Sequence, residues 1–452
     1  MSKPLWTSAD IAKATGGEAS GDFTVSGLSI DTRTIEAGDL FVPLKDVRDG
    51  HDFIPMAMEK GAGGALSENA VEGHAVIVKD SLQALRDLGK EGVERSQALR
   101  IAVTGSVGKT SVKEALAHMF AAFGNTHKSL KSYNNHWGVP LTMARMPQET
   151  QFGVFEMGMN HAGELSDLSN LLRPDIALIT TVAAVHLAHF ENVVAIADAK
   201  AEIIEGLSKD GIVILNADNP YTPRVAKTVK GNKIIYFGHD DKADVRIISA
   251  DVTAQGSQVS LSIDGAQIDI DLNIPGEHWV SNAASCMAVA HAAGLDLTKA
   301  AKALSGVKAE GGRGEISELS IDGKSITLID EAYNANPTSM TAAIKLLGLK
   351  AGRRLAVLGD MAELGKDELA MHAGLTKPLE EAGVARVIVS GECMRALRGA
   401  LPQPMRGAWT QDWAGALDAL KGEIQDGDVV LVKGSNSAGL GKLVAALKGE
   451  AS

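Results

Sequence analysis

Apolar positions along the chain fall into two spacings, and the switch between them marks its organisation. In the first 84 residues, short apolar runs at 25–30, 39–44, 64–66 and 75–78 alternate with turns, and a stretch of helical spacing follows at 81–97. Runs this short read as strands, so the segment is expected to be a small mixed α/β unit. From residue 99 the rhythm becomes strand, turn, helix. Strands are expected at 100–104, 152–156, 176–180, 211–215 and 233–237, with a helix at 109–123 and helical patterns between the later strands. Such alternation gives a mostly parallel sheet with helices on both faces. Residues 244–273 break it: three alternating runs, divided at Gln255-Gly256 and Asp264-Gly265, read as an antiparallel meander. Helices are expected at about 278–293 and 297–304. The segment Ala309-Glu-Gly-Gly-Arg313-Gly314 is glycine-rich and polar and punctuates the chain. Beyond it, strands at 326–330, 354–358, 386–389 and 428–432, each trailed by a helix, predict a second, Rossmann-like α/β sheet. The expected architecture is α/β in three domains, 1–84, 85–312 and 313–452, without internal repeats.

Composition narrows the function classes. A chain of 452 residues exceeds one compact core. Hydrophobic residues at 45% and charged residues at 22% are ordinary for a globular protein, whereas aromatics at 4% leave the core to Ala, Val, Leu and Ile. The net charge of -12 argues against a generic nucleic-acid binder, although local devices such as helix N-termini still hold anions. Cys286 and Cys393 lie far apart and form no CxxC, so neither a disulfide framework nor a zinc site is expected. The first residues lack the apolar run of a signal peptide, and the apolar stretch 176–189 is too short for a membrane span and contains His186. A reduced, cytoplasmic protein without membrane insertion is the expectation.

The strongest local signal is Val103-Thr-Gly105-Ser106-Val107-Gly108-Lys109-Thr110-Ser111, between an expected strand and an expected helix. Glycines let backbone N–H groups turn inward, the helix N-terminus adds positive potential, Lys109 reaches β- and γ-phosphates, and the Thr110 hydroxyl suits Mg²⁺. The strict consensus places a glycine where this chain has Val103, so the loop is a shortened one. Glu156 ends the strand 152–156 and His186 follows the strand 176–180. The carboxyl ends of parallel strands are where ligands sit, so both are candidates for a second cation. Each taken alone is more readily structural than a ligand; together, and downstream of a phosphate loop, they favour a metal role. Lys200, in Ala199-Lys200-Ala-Glu202, reads on its own as an ordinary solvated helix lysine.

Together these motifs resemble the Mur ligases. Thr104 to Thr110, Glu156-Met-Gly-Met-Asn160-His161-Ala-Gly-Glu164, Ala199-Lys200-Ala-Glu202, His278 to Asn282 and Gly312-Arg313-Gly314 are similar to that family's central, ATP-binding part. Tyr133-Asn134-Asn135-His-Trp-Gly138-Val-Pro140, Asp330-Glu331-Ala-Tyr333-Asn334-Ala-Asn336-Pro337 and Val357-Leu-Gly-Asp360-Met-Ala-Glu363 resemble the branch that takes D-alanyl-D-alanine, and Val432-Lys433-Gly-Ser435 also fits. Asp31-Thr32-Arg33 and Asp49-Gly-His51 resemble the family's uridine-nucleotide domain.

The resemblance implies several roles. Glu156 and His186 would ligate a second Mg²⁺, beside the one at Thr110, and Lys200 would support it as a carbamate formed with CO₂. Asn282 would contact adenine, and Arg313, Asp330 and Glu331 would hold ATP from the last domain. Asp31, Thr32 and Arg33 would serve the UDP end of a UDP-N-acetylmuramoyl tripeptide. Asn134, Asn135, Asn334, Asn336, Asp360, Lys433 and Ser435 would face the tripeptide end and the dipeptide. The implied protein is a monomeric ligase that forms an acyl phosphate. Other readings are another Mur ligase, a folylpolyglutamate-type ligase, or a regulatory P-loop NTPase. Against the diaminopimelate-adding branch, Asp218-Asn-Pro220 is followed by Tyr221 and lies in the central part.

Overall fold

The structure, a computed structural model, describes residues 3–130, 132–185 and 187–450. The chain forms four sheets among these residues. Trp6–Thr7 pairs antiparallel with Thr24–Val25. A five-stranded sheet follows in the order Glu18–Ala19, Ala75–Ile77, Gly64–Ser67, Asp39–Phe41 and Gly27–Ser29. The single run expected at 25–30 is therefore two strands in two sheets, with Ser26 at the crossing.

The helix Ser81–Glu94 starts where Asp80 accepts a hydrogen bond from the Gln83 amide. It buries Ala84, Leu85 and Leu88 under the first sheet. Along the same buried face, Gly89 and Gly92 meet the helix Gly138–Ala144. A Cβ on Gly92 would stand 2.3 Å from the Met143 carbonyl, so only glycine allows this approach. Trp6 Nε1 donates to the Ala144 carbonyl at 2.8 Å, and the Arg95 guanidinium lies 3.5 Å over the Trp6 ring. The boundary expected near 84 thus falls within a helix that serves both of its neighbours.

The central sheet has nine strands, in the order Ala266–Leu272, Ser257–Ile263, Val245–Val252, Lys233–Gly238, Ile212–Asn216, Ile176–Ile179, Leu99–Thr104, Phe152–Glu156 and Thr126–Lys128. Val245–Val252 pairs parallel with Lys233–Gly238 and antiparallel with Ser257–Ile263, so the meander is an extension of the parallel sheet. Apolar clusters cover both faces, one under Lys109–Ala121, Glu277–Ala292 and Leu297–Leu304, the other under Glu164–Leu172 and Val193–Ala201. The last sheet has six strands, ordered Glu315–Ile321, Lys324–Glu331, Asp428–Lys433, Arg354–Gly359, Arg386–Ser390 and Arg406–Thr410. All neighbours are parallel except the first pair. Pro337–Gly348 packs on one face, and Trp413–Glu423 with Leu440–Lys448 on the other. Carboxyl ends of strands from the central and last sheets face a common crevice.

Candidate nucleotide site

Leu99–Thr104 lies between two parallel strands, and its Ile101, Ala102 and Val103 are fully buried, as the continuous apolar run requires. Val103 is a strand residue, which is why the loop starts two residues later, at Gly105, and is short. Gly105 has φ 153°, and a Cβ there would stand 1.9 Å from Thr180 Oγ1. Gly108, at φ 86°, leads into the helix that begins at Lys109. The neighbouring strand end pins the loop. The Thr180 hydroxyl donates to the Val107 carbonyl at 2.6 Å, the Ser106 amide to the Thr181 carbonyl at 2.8 Å, and the Ser106 hydroxyl to the Ala183 carbonyl at 3.1 Å. Lys109 Nζ folds back onto the Gly105 carbonyl at 2.6 Å. Burial lowers its pKa, opposed by Glu156 and reinforced by Arg313. The loop and the helix N-terminus line a crevice of about 490 Å³, a geometry suited to polyphosphate.

Glu156 ends its strand inside this crevice and is 1% exposed. Its Oε1 accepts from Asn134 Nδ2 at 2.8 Å, while Oε2 has no hydrogen-bond partner among the described residues. Lys113, fully buried, stands 3.7 Å from that Oε2. The Thr110 hydroxyl is 3.5 Å from the Ser132 hydroxyl, to which Arg313 Nη2 donates at 3.0 Å. Lys200 is 2% exposed, so it is not the solvated helix lysine its sequence context suggests. Burial holds its amine well below the ordinary lysine pKa, and the Lys109 ammonium pushes the same way. His186 lies outside the described residues. Among those described, no group of three or more His, Cys, Asp or Glu is arranged to hold a metal ion.

The last sheet closes the crevice. The Arg313 guanidinium stacks 4.0 Å over the Tyr333 ring. Asp330, 5% exposed, accepts from the Gly312 amide at 2.8 Å and the Ala332 amide at 3.1 Å, and so shapes the junction backbone. Glu331 pairs with buried Lys433 at 3.0 Å, and Lys433 also donates to the Asn334 carbonyl at 2.9 Å. Asn336 caps the helix Pro337–Gly348 by accepting from the Ser339 amide at 2.9 Å. Asn282 Oδ1 packs so closely on Gly108 that a Cβ there would meet it at 3.0 Å.

Asn134, Asn282, Arg313, Glu331, Asn334, Asn336 and Lys433 all line the crevice, with Ser111 beside Thr110. Three others stand behind it. Asn135 accepts from the Trp137 and Gly138 amides, the Asp360 carboxylate accepts from the Met394 and Cys393 amides, and the Ser435 hydroxyl donates to the Asp360 carbonyl. Asp31, Thr32 and Arg33 sit in the first sheet's neighbourhood, where Arg33 forks onto Asp31 through Nε and Nη2 with its side chain 87% exposed. Lys113 and Ser132 were not foreseen from the sequence. Lys113 repeats Lys109 one helical turn later, a spacing that puts both on one face. Ser132 adjoins the Tyr133-Asn134 motif.

Fold and site together define a P-loop protein whose nucleotide crevice is completed by a second α/β sheet. Comparison with known proteins makes this specific. The Mur ligase middle domain matches residues 103–290, and the Mur ligase, glutamate ligase domain matches residues 312–436. The chain is 35% identical over 439 residues to the UDP-N-acetylmuramoyl-tripeptide–D-alanyl-D-alanine ligase of Escherichia coli, covering 96% of each. It is 31% identical over 452 residues to the enzyme of the same name from Rickettsia prowazekii, covering 97% of this chain and 99% of that one. A crystal structure of MurF from Acinetobacter baumannii superposes with a TM-score of 0.86 at 28% identity, over 99% of both chains. The chain belongs to the Mur ligase family.

Proposed function

We propose that this chain joins D-alanyl-D-alanine to a UDP-N-acetylmuramoyl tripeptide at the expense of ATP, a step of peptidoglycan precursor synthesis. The full-length likeness to ligases of that name carries the reading. The crevice supports it, with Lys109 and Thr110 facing Arg313, Glu331 and Lys433 of the other sheet. No helix among the described residues is long and apolar enough to cross a membrane, and a monomer working in the cytoplasm fits the reading.

A carboxylate does not acylate an amine at neutral pH, because oxide is its leaving group. Moving the γ-phosphoryl group of ATP to the tripeptide's terminal carboxylate makes an acyl phosphate, and the dipeptide's amine then displaces phosphate. Phosphoryl transfer asks the protein for position and charge. The loop amides and Lys109 hold the phosphates, and Arg313 adds a guanidinium from the junction. By the family resemblance Asn282 would contact adenine, and Asp330 and Glu331 would hold ATP from the last domain. Closure of the last sheet keeps water from the acyl phosphate.

The orphaned, buried Glu156 Oε2 suits a divalent cation, since hard cations take anionic oxygens. Thr110 would hold one Mg²⁺, and Glu156 with, by resemblance, His186 a second; when bound, these ions neutralise phosphate charge. Lys200 suits the proposed carbamate because its amine is buried and held toward the neutral form, whose lone pair attacks CO₂ with loss of a proton. We assign residues 1–84 to the UDP end through Asp31, Thr32 and Arg33, 85–312 to ATP, and 313–452 to closure and the dipeptide. Asn134, Asn334, Asn336 and Lys433 face the peptides, with Asn135, Asp360 and Ser435 bracing the loops behind them.

The test is phosphate release from ATP by the purified chain. A ligase releases phosphate in step with product, and only when UDP-muramoyl tripeptide and dipeptide are both present. Release with neither would favour a regulatory NTPase and overturn the reading.

A further inference from the structure

The least explained charged group near the crevice is Lys113. It is fully buried on the helix Lys109–Ala121, one turn beyond Lys109. Its ammonium stands 2.8 Å from Glu114 Oε1 and 3.7 Å from Glu156 Oε2. The first is a hydrogen bond and the second is attraction without one. Glu114 in turn pairs with Lys128. Glu156 is fixed from other directions, since its amide donates to the Ser129 hydroxyl at 3.1 Å and its Oε1 accepts from Asn134. Its two oxygens are therefore unequal. Oε1 is occupied, and Oε2 feels a buried positive charge while keeping its lone pairs.

We propose that Lys113 is a positioning residue that leaves Glu156 Oε2 open toward a divalent cation while keeping the hold on that cation weak, with Glu114 setting how near the ammonium comes. The inference rests on the reading of Glu156 as a cation ligand. A cation on Oε2 is repelled by an ammonium only a few ångströms away, and in a buried setting that repulsion is poorly screened. Glu114, at 2.8 Å, holds the ammonium nearer to itself than to Oε2, at 3.7 Å. With Glu114 drawing it off, the carboxylate is compensated but not consumed. The result is a site whose cation exchanges readily.

The experiment is a Mn²⁺ titration of the full-length chain without nucleotide, followed by electron paramagnetic resonance, alongside thermal unfolding. Lys113→Met should bind Mn²⁺ about tenfold more tightly, because the repulsion is gone while Glu114 keeps Lys128. Lys113→Arg should stay near wild type. Glu114→Gln should bind several-fold more weakly, and it carries the test if Lys113→Met does not fold. A merely structural lysine predicts the opposite for Lys113→Met: lower melting temperature and equal or weaker Mn²⁺ binding, which would overturn the proposal. Glu156→Gln separates the two readings. If it abolishes Mn²⁺ binding but Lys113→Met does not tighten it, the cation site stands and the role of Lys113 falls. If it leaves Mn²⁺ affinity unchanged, both fall.

Discussion

Lys109 and Lys200 are two lysines of one crevice region, and burial acts on them differently. Lys109 keeps a compensating carboxylate, Glu156, while the burial of Lys200 is compounded by the Lys109 ammonium. Lys109→Ala should lower ligation by about a hundred- to thousandfold, the usual cost of losing one preorganised charge at a transferring group. Its melting temperature should be unchanged or higher, since a partly desolvated ammonium leaves. Near-normal turnover would refute the phosphate-loop assignment. Lys200→Ala should be nearly inactive, and short carboxylic acids should restore part of the activity by supplying the missing anion. Wild-type enzyme in CO₂-depleted buffer should recover on adding bicarbonate. An alanine variant with full activity would eliminate the carbamate. At this scale the sequence was readable wherever a residue type is rare in its setting, as with Gly105, Gly108 and Lys109. It was silent where burial decides. Neither the burial of Lys200 nor the pairing of Lys113 with Glu156 follows from spacing, because both depend on which helix face meets which strand.

Among the elements, the long parallel strands and their helices were legible because a buried parallel strand is a continuous apolar run, as in Ile176–Ile179. The short edge strands were not. Thr126–Lys128 reads Thr-His-Lys, without apolar pattern, and exists because Phe152–Glu156 offers it a free edge. That edge carries a titratable group. A His127 ring nitrogen bonds the Thr142 carbonyl at 2.7 Å and so ties the strand to the helix Gly138–Ala144. Burial drives the ring pKa down to about 4, with the Thr142 bond opposing and Arg145 assisting. The folded protein therefore favours the neutral ring and binds fewer protons than the unfolded chain between about pH 4 and 6.5. The contribution to stability is complete above pH 6.5 and is lost as pH falls toward 4, by at most about 3 kcal/mol. His127→Gln offers an uncharged donor to the same carbonyl. Urea unfolding from pH 7 to 4 should show wild type losing stability more steeply than this variant, and parallel slopes would refute the account.

For the whole molecule, three-part organisation was visible in the changes of rhythm near residues 99 and 309, but how the parts share work is a matter of contacts. The first and central parts share the helix Ser81–Glu94, and Arg145 Nε reaches back to the Leu28 carbonyl at 2.6 Å. The last part meets the central sheet through Arg313 on Ser132, the exposed pair Lys345–Glu277 at 2.9 Å, and the Glu363 carbonyl on the Ala188 amide at 3.1 Å. Substrate binding should therefore divide between distant arginines. Arg313, held by Tyr333 and Ser132, is the one proposed for ATP. Arg33 is paired with Asp31, and on the proposed assignment it would exchange that carboxylate for the diphosphate of the UDP substrate. A charge-assisted hydrogen bond contributes about 1.5–3 kcal/mol, and the lost Asp31 pair offsets part of it. Arg33→Ala should accordingly raise the KM for UDP-muramoyl tripeptide by about three- to thirtyfold and leave that for ATP within about twofold. Arg313→Ala should do the reverse. Initial-rate kinetics with each substrate varied in turn measure both. If Arg33→Ala moves both constants equally, the arginine serves the fold of the first part, and the UDP end must be sought elsewhere on that sheet.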